Sequence, residues 1–341
     1  MKRAAEMGAT DIHLLPEGPD VLIQFRIADK MYSQECLPAA QYDKMAAHFK
    51  FLAGLDIGEK RRPQSGSFSV EINNRAFDLR VSSLPSIYRE SIVLRLMQER
   101  LVPLLKLSLF PADVKLLGGF IRKRAGLLIL TGPTGSGKTT TLYTLIEKAQ
   151  RDFMRKIITL EDPVEKKASG VLQVQINEKA GITYAAGLKA ALRHDPDLIM
   201  VGEIRDAETA AIAVRAALTG HLVMTTMHTK NTAGALNRLI DFGIPKEDLK
   251  QTLIAVTAQR LVDLECRLCR SSCSVHCRRL RPYSRAGIYE MLYGKDLENA
   301  FRLQGNPLSI TRSLANRHRK AFALGFISAE RLNEFKADEY A

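Results

Sequence analysis

The chain has 341 residues, 46% of them hydrophobic, no Trp, and 50 Lys and Arg against 37 Asp and Glu for a net charge of +13. That length suits two domains with cores of their own, and no run approaches the ~20 apolar residues of a helical membrane span. The positive balance fits either a nucleic-acid binder or a solvated basic surface near anionic lipid, but no nucleic-acid-binding module accompanies it, so direct DNA binding is not expected.

Lys2 and Arg3 precede no apolar stretch, so a secretory signal is not expected and the chain reads as cytoplasmic. Val21, Ile23, Phe25 and Ile27 alternate as in a half-buried strand. The spacing then changes to Met45, Ala46, Phe49, Leu52 and Ala53, the rhythm of an amphipathic helix. Strands are predicted at Ser67–Ile72, Phe77–Ser82 and Ser91–Met97, with Asn73-Asn74 as a hairpin turn between the first two. Cys36 stands alone and reads as a small buried hydrophobe. Residues 1–100 are therefore expected to form a small α/β domain.

Val102-Pro103 and Phe110-Pro111 bracket a linker at 101–111, because proline disfavours helix at the residue before it. Beyond it, strands predicted at Leu127–Thr131, Lys156–Leu160, Asp197–Val201 and Leu222–Thr226 alternate with helical segments. Residues 112–341 thus read as an α/β domain on a doubly wound sheet, interrupted by a Cys-rich insertion at 264–285.

The strongest motif is Gly132, Pro133, Thr134, Gly135, Ser136, Gly137, Lys138 and Thr139, followed by Thr140, which fits the phosphate-binding pattern G-x-x-x-x-G-K-[ST]. An apolar strand precedes it and a helix-compatible run follows, the context that pattern requires. Glycines let backbone N–H groups turn onto phosphate oxygens, Lys138 reaches the β- and γ-phosphates of ATP, and the Thr139 hydroxyl ligates Mg²⁺.

Such a loop needs carboxylates at neighbouring strand ends. In Asp197 to Glu203, Gly202 stands where an Asp usually ends the strand, so Glu203 is expected to polarise water or to reach the metal through water. Asp197 lies at the far end. Glu161, Asp162 and Glu165 follow another strand, and read equally well as a second catalytic cluster or as a solvated acidic turn. His228 falls on the strand end that shares an edge with the phosphate loop, a place for a γ-phosphate sensor, whereas His221 falls at the opposite end.

These motifs, in this order, resemble the ATPases that drive type II secretion and type IV pilus assembly, with their Walker A, Asp box, atypical Walker B and His box. Leu192 through Asp206 and Ala258-Gln259-Arg260-Leu261-Val262 carry the likeness in the second domain; Thr10-Asp11-Ile12-His13 and Arg61-Arg62-Pro63-Gln64-Ser65-Gly66 carry it in the first. The early start, the segment from Phe49 to Glu59 and the compressed cysteines resemble the branch that serves competence pseudopili in Gram-positive bacteria.

The resemblance implies a PAS-like first domain, a RecA-like second domain, and a homohexamer with ATP between subunits. It implies Glu203 as general base, Glu161 as its assistant, and Arg80 and Arg95 as phosphate contacts from the first domain. It implies a peripheral place at the inner face of the cytoplasmic membrane, on a polytopic platform protein. Two other readings remain: a pilus retraction ATPase, disfavoured because those relatives lack a Cys insertion, and a DNA-binding translocation protein.

Cys266, Cys269, Cys273 and Cys277 fall within twelve positions and can close a tetrahedral Zn²⁺ site. The arginines that crowd the segment, from Arg267 to Arg285, would favour thiolates.

Overall fold

The computed structural model describes residues 1–27, 30–73, 76–98, 102–266, 269, 277, 284–302 and 312–340. They build two compact units, one within Met1–Arg100 and the other beginning at Leu101.

The first unit opens with α1 (Lys2–Glu6), β1 (Asp11–Glu17), β2 (Asp20–Ile27) and β3 (Lys30–Pro38), then α2 (Ala39–Leu52), then β4 (Gln64–Glu71), β5 (Ala76–Pro85) and β6 (Glu90–Gln98). The strands form one antiparallel sheet in the order β3-β2-β1-β6-β5-β4. Alternation decides its faces: Ile12, Leu14, Val21, Phe25, Val81 and Leu94 point into a core closed by Tyr42, Ala46 and Phe49 of α2. The expected helix and four strands are present. β1 and β3 are additional: β1 runs through the Asp11-Ile12-His13 motif, and β3 is a largely exposed edge whose alternation is broken by a register shift opposite Leu22 and Gln24. Cys36 pairs with Leu22 on the outer face of the sheet and is exposed, not buried as its composition suggested. Asn73 adopts the left-handed φ of 53° suited to a turn, and Asn74 lies outside the described residues.

In the second unit come α3 (Pro111–Phe120), β7 (Gly126–Thr131), α4 (Lys138–Phe153), β8 (Ile157–Glu161), β9 (Leu172–Gln175), α5 (Tyr184–Ala191), β10 (Leu198–Val201), α6 (Ala207–Leu218), β11 (Leu222–Met227), α7 (Thr232–Asp241), α8 (Lys246–Thr252), β12 (Leu253–Asp263) and β13 (Arg285–Tyr293). α9 (Gly294–Arg302), α10 (Leu314–Ala323) and α11 (Ala329–Tyr340) follow. The sheet order is β13-β12-β7-β11-β10-β8-β9, parallel except for β13.

β7 shows why the sheet is doubly wound. Leu127 to Leu130 are each 0% exposed, yet their sides differ. Leu127 and Ile129 join the core under α6 and α7, while Leu128 and Leu130 join the core under α3 and α4. A strand buried on both faces reads as a continuous apolar run, and β8, β10 and β11 do the same.

The proline-bracketed segment is built onto this unit. The Gly287 N–H donates to Leu107 O at 2.8 Å, the Leu109 N–H donates to Gly287 O at 3.1 Å, and Leu107 and Phe110 are buried. The cysteine segment connects the antiparallel pair β12 and β13, whose last register pair is Asp263 with Arg285.

Candidate nucleotide-binding and hydrolytic site

The phosphate loop leaves the carboxyl end of β7 and enters α4. Gly132 (φ 147°) and Gly137 (φ 85°) take backbone conformations closed to most L residues. A Cβ would also collide: at Gly132 it would lie 2.6 Å from Gln259 O, and at Gly137 2.9 Å from Gln259 Nε2. The loop is thus seated against β12, which explains why the Ala258-Gln259-Arg260 motif belongs to this site. Pro133, Thr134 and Gly135 form its exposed tip, and Thr139 is half-buried on the first turn of α4 with Thr140 exposed beside it.

Lys138 is 7% exposed, and its Nζ donates to Gly132 O (2.8 Å) and Pro133 O (3.0 Å). Burial pulls its pKa down to about 8, against the nearby Glu203 carboxylate and with help from the Arg260 charge. The Ser136 hydroxyl is buried with no hydrogen-bond partner among the described residues. A recessed cation, an orphan hydroxyl and glycines whose side-chain space is taken make a cradle that fits a phosphate chain.

α4 is fastened beyond its first turn. Thr141 donates to Gln259 Oε1 at 3.0 Å and shares a 2.9 Å hydrogen bond with the Tyr289 hydroxyl. Thr144 donates to Val102 O at 3.0 Å. At the end of β7, Thr131 Oγ1 accepts from the Thr229 N–H at 2.9 Å, tying the phosphate loop to the segment after His228.

Glu161 and Glu203 follow the ends of neighbouring strands, because β8 and β10 are paired up to Leu160 and Val201. They are built differently. The Glu203 side chain is 16% exposed, with Oε1 2.5 Å from Arg205 Nη2 and Oε2 3.7 Å from His228 Nε2. His228 is held below its ordinary pKa by burial and then by the Lys138 charge, with Glu203 opposing. Lys138, Glu203 and His228 therefore meet at one strand edge. Glu161 is 3% exposed and accepts from Thr159 Oγ1 (2.6 Å), Tyr143 OH (2.5 Å) and Gln173 Nε2 (3.2 Å). A solvated acidic turn does not describe it.

The glycine in place of the usual strand-end Asp has a steric cause. A Cβ at Gly202 would lie 2.8 Å from the Tyr184 hydroxyl and 3.0 Å from Leu160 O. Asp197, at the other end of β10, accepts from the Lys156 N–H at 2.7 Å, and His221 Nδ1 lies 3.1 Å from Ala216 O. Both are away from the phosphate edge.

Arg80 and Arg95 face one another across β5 and β6, both exposed. Arg95 Nε donates to Asp11 Oδ1 at 2.7 Å, and Asp11 is buried. Burial alone would raise the Asp11 pKa, but hydrogen bonds from Arg95 and Thr10 hold it below the usual range.

The sulfurs of Cys266, Cys269 and Cys277 lie within 4.8 Å of one another, and Cys266 is 2% exposed. Tetrahedral zinc with Zn–S bonds of about 2.3 Å sets its sulfurs roughly 3.8 Å apart, so this donor set fits. Cys273 lies outside the described residues.

Sequence reasoning passed over Tyr143, Gln173 and Tyr184, and had Arg205 only within a motif. It named Gln259 and Arg260 only as part of a motif. Arg260 Nη2 donates to Lys230 O at 2.6 Å and so bridges β12 to the loop after His228.

The chain is similar to known secretion and pilus proteins. The family described as Type II/IV secretion system protein matches residues 1–332. The competence protein ComGA of Bacillus subtilis (strain 168) is 50% identical over 324 residues, covering 94% of this chain and 91% of that protein. The type II secretion system protein E of Klebsiella pneumoniae is 42% identical over 85% of this chain, which spans only 57% of that longer relative. Among solved structures, the pilus retraction motor PilT with bound ADP superposes with a TM-score of 0.69 at 26% identity, covering 98% of this chain and 94% of that one.

Proposed function

The chain belongs to the type II/IV secretion system protein family, and on that premise we propose that it powers assembly of a competence pseudopilus or a related pilus-like fibre. It is an ATPase of that family, a motor of the secretion and pilus kind. The observation that carries the reading is the meeting of Lys138, Glu203 and His228 at the strand edge from which the phosphate loop departs.

The chemistry follows from those positions. Backbone N–H groups of the loop and Lys138 hold the phosphates of ATP, and the Thr139 hydroxyl stands where a Mg²⁺ ligand is needed. When bound, Mg²⁺ would neutralise charge that builds on the transferring group. Water adds to the γ-phosphorus as the bond to the bridging oxygen breaks, and Glu203 takes the water's proton. The Glu203 carboxylate is less deeply buried than that of Glu161, which favours it as the base. His228, held neutral, can donate to a γ-phosphate oxygen. Arg80 and Arg95, from this chain or a neighbouring one, are proposed to add charge to the same group.

Three further assignments rest on the family: a homohexamer, a polytopic membrane platform as partner, and a peripheral place at the inner membrane face; one Zn²⁺ on the cysteine segment rests on the spacing of its sulfurs. No helix among the described residues is long and apolar enough to cross a membrane. The 26% likeness to a retraction motor keeps that direction as a second reading, but 50% identity to a competence protein favours assembly.

Lys138→Ala tests the assignment. Mg²⁺-dependent phosphate release should disappear, because no alanine replaces a charge on the β- and γ-phosphates. Turnover near that of the unaltered chain would end the reading.

A further inference from the structure

Glu161 accepts three side-chain hydrogen bonds, and its donors come from three separate elements. Thr159 is two residues back on β8, Tyr143 is on α4, and Gln173 is on β9. An ionised carboxylate offers about four lone-pair sites, and three are occupied here. A buried acid could be satisfied in this way for stability alone. Two further features go beyond that.

Tyr143 lies five residues after Lys138, on the helix whose first turn forms the phosphate cradle. Anything that moves the start of α4 moves the hydroxyl that holds Glu161. Gln173 Nε2 also donates to Lys166 O at 2.8 Å, and the Tyr143 hydroxyl, whose one proton goes to Glu161, accepts from the Lys166 N–H at 3.3 Å. The pair therefore clamps both Glu161 and the chain that follows it. Gly202, between the two acids, is too crowded to carry a side chain that could take over either role.

We propose that Tyr143 and Gln173 are positioning residues for hydrolysis: they aim the fixed carboxylate of Glu161 at the attacking water or the metal's water, while Glu203 remains the base. The proposal rests on the reading of Glu161 as Glu203's assistant. It gives α4 a second task, since the helix that receives the phosphates also carries the hydroxyl that orients the neighbouring acid.

The test uses the full chain with steady-state ATP hydrolysis. Tyr143→Phe keeps the ring in its place and removes one hydrogen bond to a charged acceptor, so kcat should fall about tenfold while KM for ATP stays within about twofold. Gln173→Met should act in the same direction and serves if Tyr143→Phe folds poorly. In a Glu161→Gln background, Tyr143→Phe should cost nothing more, because its target has gone. Unchanged kcat in both Tyr143→Phe and Gln173→Met, beside a disabled Glu161→Gln, would overturn the proposal and leave Glu161's role standing. Losses that multiply in the double variant would also overturn it, showing that Tyr143 acts elsewhere. Full activity in Glu161→Gln would remove the underlying reading and the proposal together.

Discussion

Lys138 sits folded back on the carbonyls of Gly132 and Pro133, its pKa drawn to about 8 by burial. Phosphate binds the protonated form, so the affinity for ATP should be flat below pH 8 and fall as pH rises through it. Between pH 7 and 9 we expect the dissociation constant to rise about tenfold, measured by titration of a fluorescent ATP analogue; a flat profile would mean the ammonium is not recessed. The linkage to folding has the opposite slope. The unfolded lysine keeps its proton up to 10.5, so stability without nucleotide should climb between pH 8 and 10.5 as this burial ceases to cost anything. At this scale the phosphate loop was fully legible, because its glycines and Lys138 are neighbours in sequence. Glu161 was named as well, but what holds it was not legible: its donors Tyr143 and Gln173 stand 18 and 12 residues away, and only the packing of α4 and β9 on β8 brings them in.

Burial on both faces made some elements legible but not all: β12 and β13 are largely buried, yet sequence reasoning expected no strand at β12 and a mostly helical chain beyond the cysteine segment, where β13 lies. β7, β8, β10 and β11 are apolar on both faces and announce themselves, whereas β3 and β9 are short or exposed edges with mixed patterns, which explains why sequence reasoning passed over both. The β12–β13 connection is an element with its own test. Its three described cysteines already stand at a spacing suited to zinc, with Cys273 as the proposed fourth ligand. Elemental analysis of protein purified without added metal should give one zinc per chain. Chelation should lower the melting temperature and leave ATP affinity within about twofold, since β12 reaches the phosphate loop through Gln259, well before the cysteines. Protein free of zinc with an unchanged melting curve would contradict the site.

For the whole molecule, the proposal is that Arg80 and Arg95 of the first unit contribute to chemistry built on the second. Arg80 is exposed, with no ion-pair partner among those described, so Arg80→Ala should leave the melting temperature alone and still cost at least about tenfold in turnover. Arg95 is the poorer probe. Its removal takes a donor from buried Asp11 and should cost about 1 kcal/mol of stability besides any effect on hydrolysis. The pairing of Arg95 with Asp11 was not visible in the sequence, where the two are 84 residues apart. The central claim is that Glu203, at the edge shared with Lys138 and His228, takes the proton of the attacking water. Parallel measurement of ATP binding and hydrolysis by Glu203→Gln in the full chain tests it most directly. Binding within about threefold of the unaltered chain, with hydrolysis down at least about a hundredfold, is the expected result. Hydrolysis that survives the substitution would contradict the account and move the base to another residue.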